Sequence, residues 1–223
     1  MKRVIVAGTG ASGMPYLISV LNYLSALPEV ETHLIMTESA REVIKRETDL
    51  AESFFASKAS RYYDEREIYA PIASGSFKTD GMLVIPCSTK TLSSVANGYS
   101  ENLVSRAAEV TLKEHRKLVL VVRETPLSLM DIENMRKVAL AGGVVMPASP
   151  GFYSKPKTID DLVNFVAGRA LSLLGIENDL YKEWNGRASR RAPPSDNGGL
   201  SEKAKLVRTD SQLVLTRTMR HHT

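Results

Sequence analysis

The 223-residue chain has a single cysteine, Cys87, which excludes an internal disulfide and suits a reducing compartment, so a cytoplasmic location is expected. It has no apolar run long enough to cross a bilayer. Met1-Lys2-Arg3 leads straight into VIVAG and a glycine turn, so neither a signal peptide nor an arginine-rich transit segment is expected. Histidine is scarce and scattered. His33 lies in a strand, His115 ends a helix, and His221 and His222 sit near the C-terminus, none at ligand spacing to another donor. No metal site is expected. The first 186 residues also lack a net basic charge. Residues 187–223 hold eight Lys/Arg against three acids, a net +5 that leaves the first 186 residues at −1 within the total of +4. The pI of about 9.1 is therefore a property of the tail, and no nucleic-acid-binding patch is expected.

Hydrophobic residues make up 43% of the chain, enough for one domain with a substantial core. The runs IVAG, HLIM, MLVIP, LVLVV and GVVM are continuously apolar, which signals strands buried on both faces. They predict strands at 3–8, 31–36, 82–86, 117–123 and 143–146. Helices are expected at about 12–26, 38–47, 89–96, 101–115, 129–141 and 158–174, with residues 48–80 irregular or in a short helix. Alternating strands and helices imply an α/β fold, a single three-layer domain around a doubly wound parallel sheet of the Rossmann/flavodoxin kind. From Gly186 onward Pro, Gly, Ser and Arg dominate, so the domain is placed at 1–186 and a flexible or partner-contacting tail at 187–223.

Ligands of such sheets gather at the carboxyl ends of the strands, where helix N-termini offer free N–H groups. The loops there read GTGASG, Thr37-Glu38-Ser39, PCSTKT, RETP and PASPGFY. Gly8, Gly10 and Gly13 spell the dinucleotide-binding G-x-G-x-x-G, and Glu38 stands roughly where an acid would hold a ribose. Ser12, Thr37 and Ser88 also serve as ordinary N-caps, Met14 and Pro15 suit a first helical turn, and Cys87 reads as a small buried hydrophobe. Collectively the pattern asks for more. Ser88, Thr89, Lys90 and Thr91 follow one strand, and Arg123 and Glu124 follow the next, either as a local ion pair or as a phosphate-binding arginine with a carboxyl group for proton transfer. Arg106 and Lys113, seven apart on one helix face, are either solvated or aimed at an anionic leaving group. GTGASG and SGSFKTDG (74–81) would let backbone approach a ligand. Several phosphate-friendly loops are more than NAD requires.

In order, GTGASG, ETHLIMT, SGSFKTDGMLVIPCSTKTLS, LVSRAAEVTLKEHRKLVLVVRETPL and MPASPGFYSKP resemble the UbiX-like flavin prenyltransferases, over residues 3 to about 186. The resemblance implies a flavodoxin-like fold, bound FMN, and a large homo-oligomer, often a dodecamer. It also implies metal-free transfer of a dimethylallyl group from dimethylallyl phosphate to N5 and C6 of reduced FMN. The prenylated FMN would serve a UbiD-like decarboxylase. By the same resemblance Gly10, Ala11, Ser12, Thr37, Ser88, Thr89, Lys90, Thr91 and Arg123 would contact FMN. Glu47, Arg106, Lys113, Tyr153 and Arg169 would serve the prenyl phosphate, and Glu124 the proton transfer that accompanies ring closure. Met14-Pro15 departs from the small or branched apolar residues usual there, and the tail is not part of the family core. Two other readings compete: an FMN-dependent cysteine decarboxylase, whose catalytic His is not evident, and a non-catalytic FMN-binding accessory subunit of an aromatic-acid decarboxylase.

Overall fold

In a computed structural model that describes residues 1–184 and Gly186, the apolar runs build one six-stranded, all-parallel sheet. Its strands are β1 (Lys2–Gly8), β2 (Val30–Met36), β3 (Arg61–Asp64), β4 (Gly81–Cys87), β5 (Lys117–Val122) and β6 (Val144–Pro147). Their spatial order is β3-β2-β1-β4-β5-β6. One face is covered by α1 (Met14–Ser25), α2 (Glu38–Glu47), α3 (Glu52–Ser57) and α7 (Ile159–Leu174). The other carries α4 (Thr89–Ala96), α5 (Leu103–Lys113), α6 (Leu129–Leu140) and a short 3-10 turn at Pro71–Ala73. The continuous apolar runs follow from this layering: in β1, Val4 and Val6 enter one core while Ile5 and Ala7 enter the other. The compact unit spans Met1–Trp184, and the expected tail 187–223 lies outside the described residues.

The chain leaves β1 to build β2 and β3 on one side, then returns beside β1 to build β4, β5 and β6 on the other. The crevice between the carboxyl ends of β1 and β4 is therefore the topological switch point, the default ligand site of such sheets.

Two expectations need correcting. The stretch 48–80 contains α3 and also β3, whose RYYD pairs with β2 from His33↔Arg61 to Met36↔Asp64. Four residues with partly exposed faces at a sheet edge carry too little apolar pattern to be read as a strand. The loop SGSFKTDG runs directly into β4, so it lies at the amino end of the sheet, away from the crevice. There, added Cβ atoms at Gly75 and Gly81 would collide with Glu114 and with the Lys117 carbonyl, so these glycines serve packing. Among the described residues no helix is long and apolar enough to cross a membrane.

Candidate active site

The turn after β1 is fixed by a buried hydroxyl. Thr9 Oγ1 donates to the Pro86 carbonyl at 2.8 Å and accepts from the Ser88 N–H at 2.8 Å, tying the β1 loop to the β4 loop. Gly10 abuts α2, where an added Cβ would lie 2.5 Å from Ser39 Cβ. Ser12, expected to cap α1, does not: the cap position is Gly13, at φ 119°, and α1 begins at Met14. Glu47, the last residue of α2, takes the capping role. Its carboxylate accepts from the Gly13 N–H at 2.9 Å and the Met14 N–H at 2.8 Å. Pro15 has no N–H, and that of Tyr16 donates to the Gly13 carbonyl at 3.0 Å. The Gly13, Met14 and Tyr16 N–H groups at the start of α1 are thus accounted for. A dinucleotide pyrophosphate would need those N–H groups, and a carboxylate already sits on them. The glycine motif is not a dinucleotide cradle here.

Burial alone would raise the Glu47 pKa, but the Ser12 hydroxyl, the Gly13 and Met14 N–H groups and the Arg123 charge outweigh it and hold the carboxyl below its ordinary value. Arg123, at the end of β5, donates from Nε to the Ser12 carbonyl at 3.2 Å. Among the described residues no carboxylate lies within ion-pair distance of its guanidinium. The expected alternative, an Arg123–Glu124 pair, does not form: the exposed Glu124 carboxylate accepts its neighbour's Thr125 N–H at 2.9 Å. Ser12, Glu47 and Arg123 are therefore brought together around an unpaired cation.

On the other side of the Gly10 turn lies a cavity of about 350 Å³, lined by Gly10, Thr37, Ser39, Ser88, Thr89, Lys90 and Thr91, with acids Glu38, Glu65 and Glu101 at its rim. Thr37 caps α2 by accepting from the Ala40 N–H at 3.0 Å, and Ser88 caps α4 by accepting from the Thr91 N–H at 3.3 Å, as expected. Glu65 accepts the Glu38 N–H, the first of α2, and the Asn102 side-chain amide at 2.7 Å. At the start of α4, by contrast, the N–H groups of Thr89 and Lys90 have no partner among the described residues. An anion entering this cavity meets open donors at α4. Lys90 itself is paired with Glu101 at 3.0 Å.

None of the remaining candidates lines this cavity. Lys113 closes α5 four residues before β5 begins, which puts it at the amino end of the sheet, about 15 Å along the helix from the α5 start. Arg106 pairs with Glu109 at 3.1 Å and donates to the Ala73 carbonyl at 3.2 Å. Tyr153, in the loop after β6, donates to the Lys182 carbonyl at 3.0 Å and meets Trp184 and Phe165 edge-on. Phe165 in turn meets Tyr181, to whose hydroxyl Arg169 donates at 3.1 Å. Ala11 is buried, its N–H donating to the Thr9 carbonyl at 2.8 Å. Cys87 is fully buried, and burial pushes its thiol up to about 12, so it is no nucleophile.

Thr9, Glu65 and Tyr16 were not singled out by sequence. Thr9 and Glu65 act through contacts to distant residues, which no local pattern signals. Tyr16 stands at the third helical position after the glycine turn, and a side chain there leans back over the turn.

The flavoprotein family profile matches residues 1–171. The chain is 46% identical to the flavin prenyltransferase UbiX of Methanocaldococcus jannaschii over 182 residues, 82% of this chain and 98% of that one. A dodecameric FMN-dependent UbiX-like decarboxylase from Escherichia coli O157:H7 superposes with a TM-score of 0.81 at 44% identity, covering 82% of this chain and all of that one. AnUbiX, solved with FMN and dimethylallyl pyrophosphate, superposes equally well (TM-score 0.81, 45% identity, 83% and 98% coverage). With the sheet order, the switch-point cavity and these likenesses together, the chain belongs to the UbiX family of flavin prenyltransferases.

Proposed function

We propose that the chain transfers a dimethylallyl group from dimethylallyl phosphate to N5 and C6 of reduced FMN, giving prenylated FMN for a UbiD-like decarboxylase. The observation that carries this is the pair of anion-ready places flanking the Gly10–Ser12 turn: open N–H donors at α4, and an unpaired Arg123 beside a sealed α1. One phosphorylated ligand needs one such place; a phosphorylated cofactor with a phosphorylated co-substrate needs two.

The residues present fit FMN. Thr89 and Lys90 N–H groups with the Ser88, Thr89 and Thr91 hydroxyls would take its phosphate, while Gly10 and Thr37, which line the cavity, would let the ligand approach backbone, with Ala11 next in the turn. Bound and reduced, FMN supplies the nucleophile, so the protein needs none. Arg123 would receive charge developing on the departing phosphate. Glu124, which has no cation partner among the described residues, is assigned the later proton transfer, through the carboxylate oxygen that the Thr125 N–H leaves free.

Assembly reconciles the scattered cations with this chemistry. Helix α6 and edge strand β6 leave Leu129, Met130, Leu140 and Val144 exposed, an apolar surface suited to self-association, and the E. coli relative is a dodecamer. In such a homo-oligomer, Arg106 and Lys113 of one copy would reach the prenyl-phosphate site of a neighbour, joining that site's Tyr153 and Arg169. The single buried thiol suits the cytoplasm.

Gly10→Val is expected to weaken FMN binding at least about tenfold, because its side chain would force the β1 turn away from Ser39 and narrow the cavity; FMN fluorescence quenching measures this. The direct test is anaerobic incubation with reduced FMN and dimethylallyl phosphate, followed by mass spectrometry of the extracted flavin. A gain of one prenyl unit is expected. Bound but unmodified FMN would instead identify an accessory subunit.

A further inference from the structure

Tyr16 stands against Gly13, at the end of the glycine turn, with an unspent hydroxyl. An added Cβ at Gly13 would lie 2.8 Å from Tyr16 Cδ2 and 2.9 Å from Cε2, so the ring is laid over the turn and only glycine admits it. Every other tyrosine that is at least partly buried has a partner for its hydroxyl: Tyr23 with the Glu177 carbonyl, Tyr62 with Glu52, Tyr63 with His33, Tyr181 with Arg169. The Tyr16 hydroxyl has none among the described residues, although its side chain packs on the core. Glu47 holds the Gly13 N–H and Arg123 the Ser12 carbonyl next to it, and both charges act on the phenol. Glu47 is committed to the start of α1, whereas Arg123 is unpaired. An unpartnered donor beside an unpaired cation suits an anion that both can reach.

We propose that Tyr16 is a substrate-binding residue, its hydroxyl donating a hydrogen bond to the phosphate of the allylic substrate beside Arg123. This rests on the transferase reading above. As the allylic C–O bond breaks, its electron pair passes to the phosphate oxygen; Tyr16 strengthens its hydrogen bond to that oxygen and keeps its proton. Burial raises the Tyr16 pKa above 10.0, against the lowering influence of Arg123, which keeps the phenol protonated as a donor must be.

The test is Tyr16→Phe, which keeps the ring over Gly13 and deletes one oxygen. Inorganic phosphate is titrated by calorimetry into FMN-saturated protein, so that the place at α4 is already filled. Phosphate affinity is expected to fall about tenfold in the variant with FMN affinity unchanged, and kcat/KM for dimethylallyl phosphate to fall about tenfold or more. Equal phosphate affinity in the two proteins would overturn the proposal. So would a loss confined to FMN affinity, which would give the hydroxyl to the flavin. If phosphate affinity falls as expected but wild-type protein makes no prenylated flavin, the anion site stands and the transferase reading falls.

Discussion

Arg123→Ala is expected to lower kcat/KM for prenyl transfer about 1000-fold while leaving the fold intact, the size of effect seen when a preorganised charge donor is removed from a site that excludes water. Arg123 is held by one side-chain hydrogen bond, from Nε to the Ser12 carbonyl, and by its own N–H to the Cys87 carbonyl at 3.2 Å. Among the described residues, its remaining N–H groups have no carboxylate to satisfy. Losing the side chain therefore costs the scaffold little and the site much. The charge has a second role, because it faces Glu47 and helps keep that carboxylate ionised. Arg123→Lys separates the contributions. A lysine keeps the charge but loses the planar fork, so it should recover only part of the rate. Full activity in the lysine variant would mean that the fork has no role, and full activity in the alanine variant would remove Arg123 from the chemistry. Stopped-flow measurement of flavin spectral change under anaerobic conditions gives both constants.

What could be read from sequence was what local rules govern. The doubly buried strands announced themselves as unbroken apolar runs, and Thr37 and Ser88 cap their helices as residues of their type before a helix should. Ser12 obeyed the same rule and failed, because Gly13 in the left-handed region lets the chain turn one residue later and Glu47 supplies the acceptor from 34 residues away. The resemblance pointed to Glu47; its physical role is a tertiary contact that no spacing encodes. Arg106 and Lys113 share a helix face as their spacing says, but a helix face has two ends. The brevity of the link from Lys113 to β5 already implied that Lys113 lies at the amino end of the sheet, and the link from 74–81 into β4 implied the same for that loop. Both were legible from connection length. β3 was not, since four residues at an edge carry no period.

Glu47 offers the second large effect, and it separates stability from catalysis. In Glu47→Ala the Gly13 and Met14 N–H groups lose their acceptor at a half-buried helix start, which should cost about 2–4 kcal/mol of stability, together with the favourable placement of a negative charge at the α1 N-terminus. Prenyl transfer should fall at least about 100-fold, because the turn that carries Ser12 and Tyr16 loses its anchor. Glu47→Gln keeps an acceptor oxygen and removes the charge, so it should lose only about 0.5–1 kcal/mol. The pH dependence follows from the lowered pKa. A carboxyl held below its unfolded value contributes its full stability above that unfolded value, near 4.5, and loses it as pH falls through the folded one. The stability difference between wild type and Glu47→Gln should accordingly be constant from neutral pH to about 5 and vanish below the folded pKa. Urea unfolding followed by circular dichroism at pH 7, 5 and 3.5 measures it. A difference that persists undiminished at the lowest pH would show that the carboxylate charge contributes nothing at α1, leaving Glu47 as a neutral cap that glutamine replaces.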